Sequence, residues 1–68
     1  MKLSARNQIT GTVVSVAKGQ TTAHVKLDLG HGVVITASIT NEAVDDLGLV
    51  PGDKATAIIK ASDVIIGK

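Results

Sequence analysis

Two short stretches near opposite ends of the sequence concentrate hydrogen-bond donors. Ser4-Ala5-Arg6-Asn7-Gln8-Ile9 offers a hydroxyl, a guanidinium and two amides just before a run of strand-forming residues, and Lys60-Ala61-Ser62 adds an ammonium and another hydroxyl where a later run closes. Donors of these kinds, with no carboxylate inside either stretch, suit a small doubly charged tetrahedral oxyanion, which presents acceptors only. Ala5 and Ala61 carry side chains too small to keep such an ion from the backbone amides. If folding and subunit association bring the stretches together, Ser4 and Ser62 would donate through hydroxyls. The backbones at Ala5, Arg6, Ala61 and Ser62 would donate through N–H, and Arg6 and Lys60 would balance charge. The competing reading is bland: Ser4 to Asn7 is a polar lead-in and Lys60-Ala61-Ser62 a bulge. Composition alone favours it, because such donors are abundant on any surface.

Other chemistries find less support. His24 and His31 lie seven residues apart, one in a strand pattern and one between glycines, and the chain has no Cys to complete a tetrahedral metal site. Ser4, Ser15, Ser38 and Ser62 lack the context of an activated nucleophile. Glu42, Asp45 and Asp46 fit the solvated start of a helix better than a paired acid and base. The expectation is therefore a protein that is not an enzyme. Single-stranded nucleic acid is bound by aromatic stacking platforms in a basic groove. This chain has no Phe, Tyr or Trp, and its seven Lys and Arg are offset by six Asp and Glu, so no nucleic-acid partner is expected.

The elements that must position the donors read as follows. Ile9 to Ala17 is rich in β-branched residues and reads as a strand. Its alternation is poor, since Val13 and Val14 would face opposite ways, so either both faces are covered or a bulge near Gly11 resets the register. After a turn at Lys18-Gly19-Gln20, Thr21 to Leu29 alternates cleanly, with Ala23, Val25, Leu27 and Leu29 on one face. Gly30-His31-Gly32 makes a hairpin connection. Val33, Ile35, Ala37 and Ile39 form the inner face of a third strand. A two-turn helix follows, capped by Thr40 or Asn41 and ended by Gly48, with Ala43, Val44 and Leu47 plugging one end of the sheet. Val50-Pro51-Gly52-Asp53 is a type II turn. The chain runs extended from Lys54 to Lys60, breaks at Ala61-Ser62-Asp63 and ends in a fifth strand, Val64-Ile65-Ile66. This order predicts an all-β fold, a small OB-like five-stranded Greek-key barrel with one short helix between strands 3 and 4.

Size sets a further expectation. A chain of 68 residues is read as one domain, 1–68, burying only about 60% of its unfolded surface. Its hydrophobic fraction of 44% contains no aromatic residue, so the core is thin. Without disulfides or a structural metal, association is the remaining source of stability, and an obligate oligomer is expected. The start of the chain shows no apolar signal segment. No run approaches the ~20 apolar residues that cross a bilayer, and the net charge of +1 sets up no field toward anionic membranes. The reading is soluble and cytoplasmic, with no membrane partner; the absence of Cys is compatible with a reducing compartment.

At these residues the sequence resembles the molbindins, the Mop family of oxyanion-binding proteins. Ser4 to Ile9 followed by Gly11, Val13 and Val14, then Thr22-Ala23-His24-Val25, Ile35 to Thr40, Val44, Leu47-Gly48-Leu49, Gly52 and Ala57 to Val64 fall in that family's order and spacing. The resemblance covers essentially the whole chain, and Ser-Ala-Arg-Asn together with Lys-Ala-Ser is specific. It implies an OB-like barrel assembled as a homohexamer, a trimer of dimers, that stores or buffers molybdate and tungstate in the cytoplasm. No organic cofactor is implied, and no metal except as oxyanion. With neither a DNA-binding segment nor a nucleotide-binding domain, the stand-alone form is implied. Carried over by position, the inter-subunit site uses Ser4, Ala5 and Arg6 of one subunit with Lys60, Ala61 and Ser62 of another, and Thr22 as a further candidate. His31 departs from the family by standing where a Gly pair is frequent. The alternative, from a different class, is a structural or protein-interaction module of OB-like fold without a small-molecule ligand.

Overall fold

A computed structural model describes all residues, 1–68. The elements in chain order are β1 (Asn7–Lys18), β2 (Thr22–Gly30), β3 (Val33–Thr40), α1 (Asn41–Leu47) and β4 (Lys54–Ile59), followed by a 3₁₀ turn at Ala61–Asp63. The strands form one antiparallel sheet in the order β3-β2-β1-β4. Read from the other edge this is 4-1-2-3, the Greek-key order.

β1 is the spine. Its first half pairs with β4, from Asn7 opposite Ile59 to Thr12 opposite Lys54, and its second half pairs with β2, from Thr12 opposite Asp28 to Lys18 opposite Ala23. A bulge at Val14 reconciles the two halves: Val13 faces Leu27 while Ser15 faces Lys26. The extra residue moves the inward side of β1 from Gly11 and Val13 to Val16. This accounts for the poor alternation, and the bulge lies three residues beyond the Gly11 position expected. Beside it, the Val13 N–H donates to the Asp53 carbonyl and the Gly52 N–H to the Val13 carbonyl, both at 2.8 Å, tying the Val50–Asp53 turn to β1. Gly52 at φ 97° and the Asp53 N–H to the Val50 carbonyl at 3.1 Å make that turn type II.

Gly11 has a separate role. A Cβ there would sit 2.5 Å from the Asp28 carbonyl oxygen and 3.0 Å from Leu29 Cδ2, so β1 and β2 approach too closely for any side chain. Gly11→Ala is expected to cost about 1–3 kcal/mol through overpacking. A domain of this size loses about 4–8 °C of melting temperature per kcal/mol. Calorimetry at fixed protein concentration checks this, and an unchanged midpoint would show that the strands separate freely.

The β2–β3 hairpin turns at His31-Gly32, with Gly30 paired to Val33. His31 at φ 54° and Gly32 at φ 77° give the two positive values of a type I′ turn. The Gly30 N–H donates to Asp28 Oδ1 at 2.8 Å, inside a bulge at Leu29. Thr40 caps α1, its Oγ1 accepting from the Ala43 N–H at 3.0 Å, and Gly48 ends the helix in the left-handed conformation at φ 63°. Local chemistry therefore sets both ends of the helix.

The core consists of Val13, Ala23, Val25, Leu27 and Val44. Cross-strand rows build it: Val13, Leu27 and Ile35 in one, Val16, Val25 and Ala37 in the next. Of the helix residues expected to plug the sheet, Val44 is buried, Ala43 is half-buried, and Leu47 is 68% exposed. A helix of seven residues turns only one apolar position fully inward.

The sheet is curled but open, and the fifth strand is not formed within the chain. After β4 the 3₁₀ turn carries the chain outward, leaving Ile65 93% and Ile66 85% exposed. The turn is fixed by the Asp63 N–H donating to the Lys60 carbonyl at 2.9 Å and the Val64 N–H to the Ala61 carbonyl at 3.3 Å, which directs Val64–Ile66 away from the chain's own sheet. β3 and β4 are consequently free edges. Between them lies an apolar groove of about 520 Å³ that includes Leu27, Ile35, Ile39, Ala55 and Ala57. No helix is long and apolar enough to cross a membrane.

Candidate functional site

The β1–β4 ladder brings the two donor stretches to one end of the sheet. Its last pair is Asn7 and Ile59, so Arg6 and Lys60 are the next residues on their respective strands. Beyond them come Ala5 and Ser4 on one side and Ala61 and Ser62 on the other. Arg6 and Lys60, 54 positions apart in sequence, thus both follow the same terminal pair of the ladder within a single chain, because β1 and β4 are antiparallel neighbours. Ala5 is half-buried; Ser4, Arg6, Lys60, Ala61 and Ser62 are exposed.

The two amides between the donors and β1 have a bracing role. Asn7 Nδ2 donates to the Ile59 carbonyl at 3.1 Å, fastening the end of the ladder, and Gln8 Nε2 donates to the Ala5 carbonyl at 3.1 Å. Both carbonyls are acceptors that would repel an anion, and both are occupied by a donor of the chain itself. The sequence marked Asn7 and Gln8 as donors; their targets depend on the β1–β4 register, which no local signal carries.

The donors that remain are uncommitted. The backbone N–H groups of Ala5, Arg6, Ala61 and Ser62 find no acceptor within the chain, and the hydroxyls of Ser4 and Ser62 make no intrachain hydrogen bond. Lys60 bends into the 3₁₀ turn at φ −63°, ψ 139°, where its carbonyl accepts from the Asp63 N–H at 2.9 Å. The chain's ion pair, Lys18 with Asp45, stands at the far end of β1, so neither Arg6 nor Lys60 is matched by a carboxylate. Free N–H groups, two hydroxyls and two cations around small alanines favour an acceptor-only ligand of negative charge.

Thr22 is not brought to this end. It opens β2 opposite Thr40, beside the Lys18 end of β1, about 35 Å along the strand from Asn7 at ~3.3 Å per residue. Only a second copy could place it near the donors. His24 is exposed on β2 and His31 is exposed in the hairpin turn. Nowhere do three or more His, Cys, Asp or Glu gather as a metal site.

A curled Greek-key sheet that gathers uncommitted anion donors at one end defines a small ligand-binding β domain. The TOBE domain family matches residues 3–66, and the chain belongs to that family in its Mop form. It is similar to molybdenum-pterin-binding protein 3 of Clostridium pasteurianum, 46% identical over 66 residues and covering 97% of each chain. A solved molybdate-binding protein from Sporomusa ovata superposes with a TM-score of 0.93 at 43% identity, with all of both chains covered. The cytoplasmic molybdate-binding protein ModG, solved with molybdate bound, superposes with a TM-score of 0.92 at 52% identity, over 96% of this chain and 46% of that one.

Proposed function

We propose that this protein binds molybdate, and tungstate as its close analogue, as a non-catalytic oxyanion store in the cytoplasm. Residues 1–68 act as one binding domain, and the working unit is a homohexamer, a trimer of dimers, with sites at the seams between copies. Ser4, Ala5 and Arg6 supply one half of a site, and Lys60, Ala61 and Ser62 the other. Thr22 joins from a neighbouring copy, since its own lies at the far end of β1. The observation that carries the reading is the meeting of the two donor stretches with their N–H groups free and no carboxylate paired to Arg6 or Lys60. Relatives named for molybdate give the oxyanion its identity.

Association is supported by what a single copy leaves uncovered. Only 6 of 68 residues are buried, while Met1, Leu3, Val33, Val34, Ile65 and Ile66 are all exposed. A core that small contributes little stability unless a neighbour covers the remaining apolar surface.

The donor set also predicts selectivity. Phosphate keeps a proton near neutral pH, and that proton needs an acceptor the site does not offer. Sulfate has the charge and shape of molybdate but is smaller, so only the span of the donors separates the two. Titration calorimetry with molybdate, tungstate, sulfate and phosphate is expected to show tight binding of the first two and the weakest binding for phosphate. Phosphate held as tightly as molybdate would refute the donor-only site.

A further inference from the structure

The turn between β1 and β2 is fastened to the start of α1 by one residue. The Asn41 N–H donates to the Thr21 carbonyl at 2.8 Å, and its Nδ2 donates to the Gly19 carbonyl at 2.9 Å. Within the turn the Gly19 N–H donates to the Thr22 carbonyl at 2.8 Å. A Cβ on Gly19 would stand 2.9 Å from that same carbonyl oxygen, so the turn closes too tightly there for a side chain. One residue earlier, Lys18 is paired with Asp45 of α1. The carbonyls of Gly19, Thr21 and Thr22 are thus occupied by donors of the chain, while Thr22 is exposed and its hydroxyl makes no intrachain hydrogen bond. Asn7 and Gln8 occupy carbonyls beside the donor stretches in the same way.

Asn41 does this at a cost. Its Oδ1 is buried with no hydrogen-bond partner, and a buried acceptor left unpaired is destabilising. The helix start gives no reason to accept that cost: Thr40 already caps α1 through the Ala43 N–H, and alanine is the better helix former. Turning the amide over would set Oδ1 against the Gly19 carbonyl, so the donor must stay where it is. The tether to Gly19 is what this side chain contributes and an aliphatic one could not.

We propose that Asn41 is a positioning residue of the oxyanion site: by clamping the Gly19–Thr22 turn to α1, it fixes the Thr22 hydroxyl in the place where the donor cluster of a neighbouring copy meets it. The inference rests on the oxyanion reading and on Thr22 joining the site from a neighbour. A hydroxyl that bonds an ion held by another copy has no partner in its own chain to orient it, so its direction is set by its backbone. That backbone is held on one side by the Asn41 tethers and on the other by pairing with Thr40. Support of this kind keeps a ligating group in productive geometry before the ligand arrives.

Double-variant titration with molybdate tests the role. Thr22→Val removes the hydroxyl with little change of shape and is expected to weaken binding by about 10- to 100-fold, the worth of one hydrogen bond to a charged partner. Asn41→Ala is expected to weaken it by about tenfold, the lower range for removing a group that orients a ligating residue. Its melting temperature should move little, because the lost hydrogen bond is offset by removal of the unpaired Oδ1. The two losses should not multiply: with no hydroxyl to orient, Asn41→Ala adds nothing to Thr22→Val. Gly19→Ala reaches the same turn without touching Asn41, so the test does not depend on one variant folding. It too should lose about tenfold, and nothing further on top of Thr22→Val. Parent-like affinity in both Asn41→Ala and Gly19→Ala, or losses that multiply in the double variants, would overturn the positioning role and leave the oxyanion site standing. An unsubstituted protein that binds no molybdate would remove the oxyanion reading and this inference with it.

Discussion

Replacing Lys60 and Ser62 together by alanine is expected to weaken molybdate binding by about 10²- to 10⁴-fold while the assembly persists. Hydrogen bonds to a charged partner are each worth about 1.5–3 kcal/mol, and 1.4 kcal/mol is a factor of ten in affinity. Two such donors lost from one site therefore give about this reduction. Neither residue belongs to the core, both are exposed, and the strand they follow ends at Ile59, so the fold should be indifferent to the change. Calorimetry gives the affinity and light scattering the mass. The contrary result is equally clear: dissociation of the variant, from a parent that shows no measurable affinity for molybdate, would mean that the donors stitch copies together and that the protein is a scaffold.

Leu27→Ala is the second large effect. Leu27 is 6% exposed and sits at the centre of the sheet, opposite Val13 on β1 and Ile35 on β3. Truncating a buried leucine costs about 2–5 kcal/mol in lost transfer energy and the cavity left behind. A domain of 68 residues, at about 0.05–0.15 kcal/mol per residue, has some 3–10 kcal/mol in total. The variant should therefore unfold, or fold only when assembled or bound to oxyanion. Amide hydrogen exchange is the sensitive measurement: protection of β1 and β2 should collapse together, and retention of protection there would place the core elsewhere.

How much of this was legible follows the range of each interaction. The ends of α1 are written locally, in the Thr40 hydroxyl and the freedom of Gly48 to take a left-handed φ, and both serve as expected. The clean alternation of β2 marks Ala23, Val25 and Leu27, and all three are buried. β1 was harder, because the Val14 bulge is a compromise between two partners, β4 along one half and β2 along the other. The fault in its pattern is visible in the sequence; its position depends on strands that come later. Leu47 sat at the right helical spacing, but a helix of seven residues has room to bury only Val44.

The donor stretches were visible by residue type. Their meeting within one chain depends on the β1–β4 register, and the same register separates Thr22 from them. The fifth strand shows a different limit. Val64-Ile65-Ile66 reads as a strand because its residues favour pleated, covered surroundings, yet hydrophobicity does not say whose edge provides the cover. Open edges on β3 and β4 and three exposed side chains beyond the 3₁₀ turn bring that question into view.

Those open edges have a cost during biosynthesis. A newly made copy displays two rows of unpaired peptide groups beside an apolar trough, a template on which any extended chain can settle. A copy whose edges stay uncovered is therefore open to aggregation, and the hazard grows with the concentration of extended chains around it.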